Sequence, residues 1–557
     1  MNFEPLGKHM LVKFYNCDNE ILYDCELIEE YMREAAKEIN NTIVKRVFHI
    51  FNLYGITVAV IMKEAHLTIH TLPGYGYAVV ELFTCRNDIN PWSAFKCLKK
   101  NLKAHKSEAL EAKPMMPIPP CYAFRHLNRN IESTKYEKLK GSPIISILGS
   151  SGGVAKSVLS ILNKAVEDKN DPIHSLISNC QLHLIDCKQK DMTYFEKWFP
   201  NIKNKITLYE FNLKDTYRFM EHLRSTKTTH VIDISNADTV EMLKCCNELG
   251  VVYINSAFEN TSVDENVDLE GFTLQERYKI YESNKKEFLN TTAIICSGMN
   301  PGVVQWMAVE LINKNPHEVP KACYIVEEDT SFYEDESFVD KDTIYTTWST
   351  ECFLDEAILS YPAFMKQHMP LFMYKKVYDL EFKVSLGKKQ FYGCLMPHEE
   401  AITLGQLYNM ETGFIYKIND HTTNLIKDNI DNLENLWNKP MKVLDPAEAP
   451  LKGEDLVGVL VVYEDKERYM YNVLNNKEIF ARYQTNATYF QVACGIYGAL
   501  ATVLLDDIPQ GIYYVDELLV RTKSKYGKYL SYYMKEFVVG ENKHSDGDLL
   551  DRMKKDN

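Results

Sequence analysis

Five short segments of this 557-residue chain combine residue types at spacings that chemistry can use. Four lie in the downstream half: SGMNPGVV at 297–304, IVEEDTSF at 325–332, TTWSTECFLDEA at 346–357 and MPHEEAIT at 396–403. They gather acids, amides, a histidine and a tryptophan at the ends of expected elements. A small dication with an apolar chain needs such a set: carboxylates at its ends, and an aromatic face whose quadrupole attracts a cationic centre. The fifth is ILGSSGGVAKS at 147–157, a strand, a glycine turn and a helix start. Gly149 suits the tight turn, and Gly152 and Gly153 let backbone approach a diphosphate at the positive end of the helix. Ser151 stands where the strict dinucleotide fingerprint has its second glycine. Asp186, ending HLIDC, suits the hydroxyls of a ribose and favours NAD over NADP. Bland readings stay open: glycines of a packing turn, a surface Asp186, a core tryptophan, solvated acids and a helix-capping His398.

The elements that must position these residues follow from hydrophobic period. Residues 8–105 read as β-α-β-β-β-β-α, an α+β sandwich, with HMLVKFYNC, VKRVFHIFN, ITVAVIMK, HLTIHT and GYAVVELFTC as strands. LIEEYMREAAKEIN and PWSAFKCLKKNLKAH are its helices. Residues 106–142, with KPMMPIPP, read as a linker. From 143 to 303, strands alternate with helices, which predicts a Rossmann-like doubly wound parallel sheet. An α+β substrate and dimerisation domain is expected over 304–480, a helical segment completing it over 481–539, and a polar tail over 540–557.

Composition narrows the classes. The formal charge of −14 disfavours nucleic acid and weakly favours cationic partners. No membrane span is expected, and the N-terminus lacks a secretion signal, so a cytoplasmic location is expected. The fourteen cysteines show neither CxxC nor a repeated metal-ligand spacing, so reduced thiols and no metal are expected.

From Ile144 to Leu530 the chain resembles bacterial homospermidine synthase, through the NPG turn, the E-x-D-T segment, TWS, the H-x-E segment and NATYFQVACGIYGALATVLLDDIPQGI at 486–512. The resemblance implies an NAD-dependent, saccharopine dehydrogenase-like enzyme that couples putrescine, or spermidine with putrescine, and releases ammonia or diaminopropane. It implies that Trp348 stacks on the cationic substrate and that Glu327 and Glu259 grip amines. Asn300 then bonds substrate near the reacting carbon, His398 and Glu400 assist proton movement, and Glu356 adds negative potential. The cofactor residues would be Gly149, Ser151, Gly152, Gly153, Asp186 and Asn236. Asn236 departs from the family, which has an acid in that segment. A homo-oligomer, dimeric or larger, is implied.

Residues 8–105 resemble bacterial-type S-adenosylmethionine decarboxylase around IMKEAHLTIHTLPGYGYAVVELFTC. That family cleaves its own Glu-Ser bond and turns the serine into a pyruvoyl group. Glu64, His70 and Cys85 match the flanking acid, the histidine assisting cleavage and the proton donor. Position 65 is Ala, without the hydroxyl that attacks, so the unit is expected to stay uncleaved and inactive, whether as a natural remnant or through an engineered change. HTLPG, with Leu72 and Gly74 for the family's Trp and Glu, disfavours an adenosyl-sulfonium substrate and points to ornithine or arginine. Other saccharopine-type carbon–nitrogen dehydrogenases, such as a carboxyspermidine enzyme, and a non-catalytic polyamine-binding scaffold remain as alternatives.

Overall fold

The computed structural model describes residues 8–39, 43–51, 55–84, 89–112, 125–126 and 142–555. The chain divides into two compact units, Met1–Lys135 and Tyr136–Asn557.

In the first unit seven antiparallel strands form one sheet, in the order Ile43–Phe51, Gly55–Met62, Ala65–Leu72, Tyr77–Thr84, Lys8–Tyr15, Lys106–Ala112, Arg125–His126. Strict alternation buries Val58, Val60, Leu67, Ile69, Val80 and Leu82 on one face. That face meets Ile28 and Met32 of the helix Cys25–Glu38 and Ala94 and Leu98 of the helix Pro91–Asn101. Asp24 starts the first helix by accepting from the amides of Glu26 and Leu27, both at 3.0 Å. Asn90 does the same for the second, with Pro91 as its first residue. The expected α+β arrangement is present, with one correction. Residues 106–112 are not linker: they pair along His9–Tyr15, from Tyr15 opposite Lys106 to His9 opposite Ala112. KSEALEA is polar and precedes prolines, so its strand character comes from the waiting edge rather than from composition.

The second unit contains a seven-stranded parallel sheet in the order Ile206–Glu210, Gln181–Asp186, Ile144–Leu148, His230–Asp233, Val252–Asn255, Thr292–Ile295, Gly511–Tyr514. Chain order reverses between Ile144–Leu148 and His230–Asp233, and a crevice opens beyond the carboxyl ends there. The doubly wound prediction is met, but the seventh strand arrives from 511–514, so the boundary at 303 does not close this layer. A nine-stranded mixed sheet follows, its path running Met369–Phe372, Ala363–Lys366, Glu411–Lys417, Ala322–Asp329, Glu454–Val462, Glu467–Asn475, Val538–Asn542.

Two further expectations are corrected. Residues 540–555 are not a loose tail: Val538–Asn542 pairs with Glu467–Asn475, Leu549 is buried, and the fully buried guanidinium of Arg552 is bonded to buried Glu467. An uncharged run of 19 residues also exists, the helix Ala487–Leu505, long and apolar enough to cross a membrane by length and composition. Here most of it is buried. A Cβ on Gly495 would stand 1.9 Å from the Gly298 carbonyl oxygen, so only glycine lets this helix press against the NPG turn. The twelve described cysteines are free thiols.

Candidate active site

The crevice of the second unit holds a cleft of about 270 Å³. Its floor is the glycine turn. Gly149 has φ +74°, and a Cβ there would meet the Ile234 carbonyl oxygen at 2.6 Å. The turn delivers Gly152 and Gly153 to the cleft. The Ser151 amide donates to Asp186 Oδ2 at 3.0 Å, and the Lys188 amide donates to Oδ1. Each carboxylate oxygen keeps a free lone pair, so Asp186, at the carboxyl end of the second strand, retains acceptors for ribose hydroxyls. These features fit a dinucleotide such as NAD: an open glycine turn before a fifteen-residue helix, and an acid on the neighbouring strand.

The walls come from distant segments. Glu327, Trp348, Glu356, His398, Asn300, Glu259 and Asn236 all line the cleft. The order of strands explains the convergence. Glu327 lies near the end of Ala322–Asp329, and Tyr416 sits beside it on the parallel neighbour Glu411–Lys417. Trp348 follows the short strand Ile344–Thr346, Glu356 sits in the π-turn Asp355–Leu359, and His398 caps the helix Glu399–Tyr408. Asn300 Nδ2 donates to Glu327 Oε2 at 2.6 Å. The indole N–H of Trp348 donates to Tyr416 Oη at 3.4 Å, and Phe353 meets the indole edge-on at 6.1 Å, so the ring plane is held.

His398 is the electrostatic centre. Its Nδ1 lies 2.5 Å from Glu400, its Nε2 4.0 Å from Glu356, and Glu399 is 3.8 Å away. Burial opposes the charged imidazole, yet the three carboxylates outweigh it and carry His398 up to about 10. Burial pushes Glu356 up to about 8 against the pull of His398, and Glu259 up to about 8 against that of Arg277. Burial, reinforced by Asp329, raises Glu327 in the same direction. Behind Glu327, Asp329 stands opposite Asp455 across two strands; both are buried and raised by burial. Thr347 donates to Asp329 and Thr488 to Asp455.

Glu400 does not line the cleft. It is wholly buried beneath His398 and fixes the ring from behind. Gly149, Ser151 and Asp186 likewise stand outside the lining, at the turn itself. The cysteine spacings on which the expectation of no metal rested leave out one group: ligand atoms of His398, Glu399 and Glu400 lie within 4.8 Å of one another. Arg277 and Tyr416 line the cleft from outside every segment singled out in the sequence, while Glu399, Thr488 and Tyr489 lie inside such segments without having been assigned a role. Arg277 matters most, as the single Arg or Lys among the described lining residues. Its guanidinium is already engaged by Asp264 at 2.6 Å and Asp355 at 3.4 Å.

In the first unit, Ala65 opens its strand opposite Met62, across the two-residue turn Lys63–Glu64, and faces the core. The structure does not bring His70 to it. Ala65, Leu67 and Ile69 point inward, while His70 is exposed on the other face, with Nδ1 2.8 Å from Thr57 Oγ1. At about 3.3 Å per residue the two positions are roughly 17 Å apart along the strand. Cys85 lies outside the described residues.

The S-adenosylmethionine decarboxylase family profile matches residues 8–113. The S-adenosylmethionine decarboxylase proenzyme of Thermotoga petrophila is 50% identical over 108 residues, which is 19% of this chain and 83% of that protein. A solved structure of the adenosylmethionine decarboxylase from Aquifex aeolicus covers 21% of this chain and 95% of its own, at 25% identity and a TM-score of 0.20. Saccharopine dehydrogenase (L-Glu forming) from Saccharomyces cerevisiae covers 72% of this chain and 99% of its own, at 11% identity and a TM-score of 0.45. Through its N-terminal unit, the chain belongs to the S-adenosylmethionine decarboxylase family.

Proposed function

We propose that the second unit is an NAD-dependent homospermidine synthase, joining two putrescines, or spermidine with putrescine. The observation that carries this reading is the cleft itself. Glu259, Glu327, Glu356 and Glu399 line the same cleft as Trp348, and the one lining guanidinium among the described residues is spent on Asp264 and Asp355. A dicationic amine matches that field. A carboxylate-bearing substrate, as a carboxyspermidine-type enzyme requires, finds no unengaged Arg or Lys among the described lining residues.

NAD, held by the glycine turn and Asp186, would supply hydride acceptance and hydride return, so that two putrescines would become homospermidine and ammonia with no net oxidation. Trp348 faces the cationic carbon–nitrogen centre, and Glu327, steadied by Asn300, holds an ammonium end. Glu356, raised to about 8 and steadied as a carboxylate by cationic His398 beside it, accepts the proton that the second amine must lose before attack and becomes the neutral acid. The N-terminal unit, with Ala at 65, stays a single uncleaved polypeptide. With serine there it would decarboxylate ornithine to putrescine, the diamine of the second unit's reaction, or arginine to a guanidino amine.

The test is product analysis on the purified full chain with putrescine and NAD. Homospermidine and ammonia in equal amounts, with no lasting NADH, are expected; untouched putrescine would end this reading and leave a polyamine-binding scaffold.

The raised carboxyls set a pH dependence. Below about 8, Glu356 and Glu259 hold protons and the cleft loses negative charge. Above about 10, alkylammonium groups lose theirs and so does His398. KM for putrescine should therefore fall about tenfold between pH 7 and 9, then rise again past pH 10. A KM flat across that range would show that these acids do not face the amine.

A further inference from the structure

The glycine turn borders a second cavity of about 410 Å³, which shares only Gly152, Gly153 and Tyr489 with the acid-lined cleft. Its character is opposite. Lys156, in the first turn of the helix Gly153–Glu167, and Lys190, four residues past Asp186, both line it. Each ammonium rests on an aromatic face: Lys156 Nζ lies 4.7 Å from the Trp198 ring centre, and Lys190 Nζ 4.2 Å from that of Tyr194. Both side chains are half-buried, and among the described residues neither Nζ has a carboxylate within ion-pair distance. Burial holds both below the ordinary lysine range, despite the opposing fields of Asp445 and, for Lys190, Asp186. A desolvated cation without a counter-ion is unfavourable, and an anion entering this cavity relieves it.

Across a few residues of backbone, therefore, the protein presents carboxylates on one side of the glycine turn and unpaired ammonium groups on the other. A ligand that spans the turn with a cationic ring at one end and phosphates at the other meets both fields. We propose that the Lys156–Lys190 cavity is the phosphate subsite of the dinucleotide site, its two ammonium groups taking the oxygens of a diphosphate bridge. This rests on the dinucleotide reading of the glycine turn. Two cations match the two charges of a diphosphate, while Asp445 on the lining and Asp186 at the turn oppose a third phosphate. The subsite thus selects a dinucleotide whose ribose hydroxyls are unesterified.

The test is titration calorimetry on the full-length protein with NAD, ADP-ribose and adenosine, in the wild type, in the double variant Lys156→Met Lys190→Met, and in Lys156→Arg Lys190→Arg. Methionine keeps the apolar stem on each ring and removes the charge. The Met pair should weaken ADP-ribose about thirtyfold, leave adenosine within about twofold and flatten the salt dependence of Kd, while the Arg pair stays within about threefold of wild type. An ADP-ribose Kd unchanged in the Met pair, or lost equally in the Arg pair, overturns the subsite alone. A wild type that binds neither NAD nor ADP-ribose overturns the dinucleotide reading, and this subsite with it.

Discussion

An Ala65→Ser chain should cut itself between residues 64 and 65, giving two pieces on a denaturing gel where the present protein gives one. The reaction needs a hydroxyl on residue 65 within reach of the preceding carbonyl, and a Ser side chain meets its own upstream peptide bond wherever the backbone permits. Here the bond joins Glu64, the second residue of the turn Lys63–Glu64, to Ala65, the first residue of the paired strand, which holds that bond in a fixed bend. Ala65 is 8% exposed, so an oxygen placed there is largely shielded from water. His70 lies on the opposite face of the same strand, so the structure gives it no direct part in the attack. An Ala65→Ser His70→Ala chain should then still cleave, at a rate within about tenfold of the single variant, since a positioned general base contributes about a hundredfold or more. If the single variant stays whole after prolonged incubation, Ala65 is not what silences this unit, and the decarboxylase side of the proposed sequence falls.

How much of this was legible beforehand depended on range. The glycine turn and its acid could be read because fold rules tie both to strand ends: Gly149, Gly152, Gly153 and Asp186 stand where a strand–turn–helix and its parallel neighbour must place them. Trp348, Glu327, Glu356 and His398 were found through short segments, and the sheet order then brought them together. Arg277 was invisible, because its meaning lies in partners 13 and 78 residues away, Asp264 and Asp355. The acids Asp329 and Asp455 face one another only through antiparallel register, which no local pattern encodes. The same reason hid the strand Lys106–Ala112 and the docking of 540–555: each is polar, and each is ordered by a partner that the sequence places far away. The buried helix Ala487–Leu505 shows the reverse limit, since an apolar run states that it will be covered without saying by what.

Trp348→Ala should cost about thirtyfold in kcat/KM for putrescine, and Trp348→Phe less than about fivefold, because a desolvated cation–π contact is worth about 2 kcal/mol and a smaller ring keeps part of it. Geometry makes the comparison informative. Tyr416 accepts from the indole N–H and Phe353 meets its edge, so the wild-type ring is set before ligand arrives. Phenylalanine loses the Tyr416 bond and some of the quadrupole but keeps a face toward the cleft. Alanine loses the face. The acids alone also attract dications, so their contribution must be separated: Glu327→Gln weakens the hold on one ammonium and should raise KM more than it lowers kcat. Trp348→Ala should do the opposite, since the charge it meets is most concentrated on the carbon–nitrogen centre during transfer, and binding that strengthens only then appears in kcat. Equal losses for Phe and Ala, both confined to KM and with melting temperatures unchanged, would reduce Trp348 to a wall of the cleft. A kcat loss that follows the ring's electron density would identify it as the group that holds the cation while the bond changes.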